Sequence, residues 1–140
     1  LGALLVAGLM LSACGTVSSV SALRTWVDKS DFRSSMSTLS GDVRSSASAL
    51  RNASMTASDL HTVCGVLLLD TEEANASLPT PDTQATNLLS SAYTNLGAGA
   101  NECYDAASPT QRARALLSLT KGYAELSEAK VRIDVASASV

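Results

Sequence analysis

The sequence predicts an all-α fold, a small antiparallel helical bundle. Three observations lead there. Apolar residues recur every three or four positions along most of the chain. The breaks between these stretches carry Ser, Thr, Asp and Pro where helices begin. No pair of alternating stretches flanks a hairpin turn. Val66 to Leu69 is the one compact apolar run with strand character, and helical spacing continues through it.

The first predicted helix begins near Ser30, a suitable N-cap, with Asp31 in the first turn where the helix dipole favours an anion. Its apolar face reads Phe32, Met36, Leu39, Val43, Ala47, Leu50. The pattern weakens over residues 52–58, which places a turn or kink there. Ser58 caps the second predicted helix with Asp59 behind it, and its apolar set is Leu60, Val63, Cys64, Leu67 and Leu68.

Leu78-Pro79-Thr80-Pro81-Asp82 is the clearest break, because proline cannot continue a helix and disfavours helical geometry in the residue before it. Thr80 is expected to cap the third helix and Pro81 to occupy its first position. That helix carries Ala85, Leu88, Leu89, Ala92, Leu96, Ala100 and Cys103 on one stripe. Ser108-Pro109-Thr110-Gln111 starts the fourth, with Gln111 at the capping-box position. Its apolar residues are Ala113, Leu116, Leu117, Tyr123, Leu126 and Ile133. Short joins between amphipathic helices give an up-down bundle of four helices, or three if the first two fuse. The bundle is expected over residues 30–136.

Residues 1–13 are uncharged and almost wholly apolar. They are shorter than the roughly 20 apolar residues that span a bilayer. They fit the apolar region of a secretory signal; its basic leading region and initiating Met are expected upstream of Leu1, the alternative being a misassigned start. The segment ends Leu11-Ser12-Ala13-Cys14 and Gly15 follows. This resembles the lipobox of bacterial lipoproteins at all four positions. The resemblance implies that the signal is cut before Cys14 and that the Cys14 thiol carries diacylglycerol, with palmitate-type chains anchoring the protein to the extracytoplasmic face of the cell membrane. Small side chains at Ser12 and Ala13 give a protease access to that bond. Two or more acyl chains hold stably, at about 0.8 kcal/mol per buried methylene. Residues 14–29 are expected as a lipid-anchored tether, with partial helical spacing at Val17, Val20, Leu23 and Trp26. Trp26 sits either at the headgroup level or against the folded domain.

Cys64 and Cys103 remain after Cys14 is lipidated. In an oxidising compartment an even pair is a disulfide candidate. If the second and third helices are antiparallel, the start of one meets the end of the other and the two thiols come together. The arrangement of Cys64, the Leu78-Pro79-Thr80-Pro81-Asp82 join and Cys103-Tyr104 is similar to that of small lipoproteins from actinobacteria and their phages. That resemblance implies no catalytic residue.

Charge and chemistry narrow the function further. The formal net charge is −3, and the ten basic residues are scattered among acids. Nucleic acid calls for a clustered basic face, so it is not an expected partner. His61 is the only histidine, and Asp59, two residues away, points elsewhere on a helix. Asp70, Glu72 and Glu73 lack the spacing and glycine of a calcium loop and read as a solvated face. Gly97-Ala98-Gly99 lacks the strand and third glycine of a phosphate-binding turn, and reads as a place where another helix approaches closely. No catalytic set, cofactor or metal site is expected. The reading is a non-enzymatic interaction module of the cell envelope, with the membrane and another envelope protein as partners. The alternative is a carrier holding a lipid or other apolar small molecule in the bundle core.

Overall fold

A computed structural model of the chain describes residues 18–138. The signal segment and Cys14 lie outside the described residues. The fold is all-α, with five helices and no strand among the described residues: α1 (Ser19–Lys29), α2 (Phe32–Arg51), α3 (Ala57–Asn75), α4 (Thr83–Tyr104) and α5 (Pro109–Ala138).

Helices α2 to α5 form the up-down bundle. The α4–α5 contact is the most extensive, followed by α3–α4 and α2–α3, and α2 closes the ring against α5. The core is built from Leu and small residues. Leu39, Leu60, Leu67, Leu89, Leu96, Leu119 and Ile133 are fully buried, and Ala85, Ala92, Ala100, Ala115 and Ala129 fill between them.

The fifth helix lies in the stretch expected as a tether. Ser18 caps α1 by accepting from the Ser21 amide, and Leu23 and Val27 are buried. α1 lies across one end of the bundle. The Trp26 ring packs on Phe32 with centroids 5.3 Å apart. Its indole N–H donates to the Ser77 carbonyl at 3.0 Å, just beyond α3. The Arg24 guanidinium donates to the Ser137 carbonyl at the end of α5. Of the two placements open to Trp26, packing against the domain is the one observed. Six of its eleven residues are polar and exposed, which conceals this helix in the sequence, and its buried face is only Leu23 and Val27.

Helix boundaries also move, for local reasons. Ser30 closes α1 instead of opening α2: its amide and its hydroxyl both donate to the Trp26 carbonyl. Asp31 is the joint, at φ 49°, a left-handed conformation that Asp tolerates better than most residues. Thr56, not Ser58, caps α3, and Asp59 completes a capping box with it. Asp82, not Thr80, caps α4 by accepting from the Ala85 amide at 2.7 Å. Thr80 instead ties the join together, accepting from the Asp82 amide and bonding the Thr86 hydroxyl. The capping box at Ser108 and Gln111 forms as expected.

The largest correction concerns α5. Its buried face is Ala115, Leu119, Gly122, Leu126, Ala129 and Ile133. Ala113, Leu117 and Tyr123, expected in the core, are exposed. α4 and α5 meet so closely that small residues carry the buried line. A Cβ on Gly99 would lie 2.7 Å from Leu119, and one on Gly122 would lie 2.8 Å from Leu96. Larger apolar residues of α5 are left on the outside.

Candidate functional site

The bundle joins Cys64 of α3 and Cys103 of α4 in a disulfide, with Cα atoms 5.8 Å apart and both residues fully buried. The antiparallel α3–α4 pair brings these positions together. The bridge closes the end of the bundle opposite α1. At the same end, Arg112 of α5 donates to the Asn52 and Met55 carbonyls of the α2–α3 join, at 2.9 and 2.7 Å. Each half of the molecule is thus pinned at its loops.

Chemistry-bearing side chains do not converge. His61 is exposed and stacks on Tyr104. Glu72 and Glu73 are exposed, but Asp70 is half-buried and leaves their face. It neighbours Asp42 of α2, whose carboxyl is pushed up to about 6 by burial first and then by Asp70. One oxygen of Asp42 is enclosed without a partner, as is the hydroxyl of the fully buried Ser46 one turn further along α2. Among the described residues no three His, Cys, Asp or Glu side chains gather as a metal would require. Gly97 has open space where a Cβ would sit, whereas Gly99 sits against Leu119, so one glycine of that pair serves the helix contact.

At the α1 end, Arg132 of α5 clasps the Asp82 carboxylate with two nitrogens, at 2.5 and 3.2 Å. Asp82 therefore caps α4 and ties it to α5 at once. The guanidinium holds its carboxyl below the usual carboxylate range.

Exposed apolar side chains lie on α3, at Val66 and Leu69, and along the outward side of α5, which is flanked by grooves. One groove, about 470 Å³, runs between α2 and α5 and is lined by Arg33, Met36, Arg44, Tyr123 and Lys130 among others. Its cations are partly neutralised at the rim, where Asp134 accepts from Lys130 at 2.6 Å and lies 3.8 Å from Arg33. Such exposed pairs contribute little to stability. Another groove, about 560 Å³, lies between α4 and α5 with Leu88, Val131 and Val135 along it. Between and beyond them Leu117 is 74% exposed, Val131 62% and Val135 60%. The outward face of α5 was missed in the sequence because Ala113, Leu117 and Tyr123 were assigned to the apolar set of that helix and Val131 and Val135 were given no place.

The fold and this surface define a small, disulfide-closed helical module with exposed apolar side chains on its last helix. No protein-family model, curated protein or solved structure matches the chain.

Proposed function

We propose that the chain is a lipid-anchored module of the bacterial cell envelope, held on the extracytoplasmic face of the membrane and acting by binding protein rather than by catalysis. The observation that carries this reading is the place of Leu11-Ser12-Ala13-Cys14, an apolar run ending in a cysteine four residues before the Ser18 cap of α1. Four residues reach at most about 14 Å in any conformation. A lipid on Cys14 therefore holds the α1 end of the bundle close to the headgroups. Among the described residues no helix is long and apolar enough to cross a membrane.

The interaction role draws support from the surface and the core together. A row of large apolar side chains stands in solvent on α5, the kind of feature that marks a binding face. The alternative of a carrier needs room inside the bundle. The Gly99–Leu119 and Gly122–Leu96 contacts take up that room along the α4–α5 seam.

The test is metabolic labelling of the full-length chain with an alkyne fatty acid in a bacterial host. The expected result is a labelled band in the membrane fraction that Cys14→Ala abolishes. An unlabelled wild-type chain, or a Cys14→Ala chain that still carries the label, overturns the anchor.

A further inference from the structure

α5 is apolar on two opposite sides. Its core side is Ala115, Leu119, Gly122, Leu126, Ala129 and Ile133. At 100° per residue, Ala113, Leu117, Lys121, Ala124, Glu128, Val131 and Val135 fall on the reverse side, and every one of them is exposed. A helix on the surface of a bundle is ordinarily polar there. This stripe runs about 33 Å from Ala113 to Val135. At roughly 10 Å wide it covers about 330 Å², with the charged Lys121 and Glu128 flanking Ala124 between its apolar ends.

The order of residues along the stripe reads nearly the same in both directions. Leu117 and Val131 stand seven residues either side of Ala124. Lys121 and Glu128 stand three before it and four after it. Within the described protomer neither Lys121 nor Glu128 takes part in an ion pair. A two-fold axis crossing α5 beside Ala124 sets a second α5 antiparallel to the first. Leu117 then meets the partner's Val131, and Lys121 meets Glu128 of the partner subunit, twice over by symmetry. Ala124 meets its own copy, and its small side chain lets the two helices approach.

We infer that the outer stripe of α5 is a self-association face whose partner is a second copy of this chain, packed antiparallel about Ala124. A self-complementary patch is what an isologous two-fold contact requires. A partner of one uniform charge would leave either Lys121 or Glu128 opposed by like charge. The area is below the roughly 800 Å² per partner of a stable soluble dimer. Confinement of both copies to one membrane raises their effective concentration and makes up that shortfall. The inference deepens the interaction-module reading by naming the partner, while the geometry itself stands on α5 and not on Cys14.

Oxidative crosslinking in cells tests it on the full-length chain. Ala124→Cys is expected to give a reducible band at twice the chain's mass, and Ser45→Cys on the exposed side of α2 is expected to give none. Lys121→Glu in the Ala124→Cys background should lower the crosslinked fraction at least fivefold. Adding Glu128→Lys should restore it, since the swapped pair is again complementary. Circular dichroism of each variant separates loss of contact from loss of fold. No dimer band from Ala124→Cys, a band at another protein's mass, or folded charge variants that crosslink like the parent would each overturn the inference. Fatty-acid labelling of the same cells is scored separately, so a failed anchor is distinguished from a failed dimer.

Discussion

Gly99 of α4 and Gly122 of α5 mirror each other across one seam: each lies where the other helix presents a leucine, Leu119 and Leu96 respectively. Backbone as well as side chain is in the way of any added carbon, since the Leu119 amide nitrogen is 2.9 Å from a Cβ at Gly99 and that of Leu96 is 2.8 Å from one at Gly122. A leucine tip can turn aside, but a helix backbone cannot without moving the helix.

Gly99→Ala is therefore expected to destabilise the bundle despite alanine's better helix propensity. Overpacking of this kind costs about 1–3 kcal/mol, which outweighs the roughly 1 kcal/mol that Gly to Ala gains in a helix. Gly97→Ala, with open space at its Cβ, should show the gain alone. Urea denaturation of the two variants reads the contrast. Equal stabilisation of both would mean that the seam is looser than described.

Removing the Cys64–Cys103 bridge should cost stability without changing the fold. The bridge spans 39 positions in sequence, and closing a loop of that length is worth about 4 kcal/mol in the chain-entropy description. Cys64→Ala with Cys103→Ala should lower the denaturation midpoint accordingly and leave the helical circular dichroism intact. Two alkylatable thiols in the unfolded, unreduced wild type would show that the bridge does not form.

Stability should peak in mild acid. Asp42 holds its proton up to about pH 6 in the fold, against 3.8 otherwise. Between those values the native state binds more protons than the unfolded chain, so stability falls as pH rises from about 4 to 6. Asp82, lowered chiefly by its hydrogen bonds with Arg132, acts in the opposite sense. Its contribution is present above 3.8 and is lost as pH falls below that value. Melting temperature should thus be highest between about pH 4 and 5. Asp42→Asn should flatten the limb toward neutral pH. Asp82→Ala should weaken the acid limb and also cost the roughly 1 kcal/mol of a helix cap. A melting temperature that climbs steadily to pH 7 would rule out the raised carboxyl of Asp42.

Trp26, the only tryptophan, reports whether α1 is seated. Leu23, 1% exposed, holds α1 down beside it. Leu23→Ala should cost about 2–5 kcal/mol and shift Trp26 emission to the red as the ring meets water. Trp26→Phe keeps the contact with Phe32 and gives up the bond to Ser77, a loss of about 1 kcal/mol. Unchanged emission in Leu23→Ala would show that Trp26 stays seated without that side chain.

The all-α class, the approximate places of the four joins and the Cys64–Cys103 pairing were legible in the sequence. They depend on local chemistry: apolar spacing, capping hydroxyls, prolines, and the antiparallel order that short joins impose. The faces of α2 and α4 followed for the same reason, since Leu, Met and Phe mark a core that holds large side chains. α5 did not follow that rule. Where two helices nearly touch, the buried line is Ala and Gly, and the larger Leu117 and Val131 fall outside it. The pairing of Asp42 with Asp70 and the seating of α1 were equally hidden, because each joins residues distant in sequence. Sequence alone determined which stretches are helical and which cysteines can meet, because both are set by near neighbours and chain direction. Only tertiary structure decided which side of α5 faces inward, because that depends on how closely α4 approaches it.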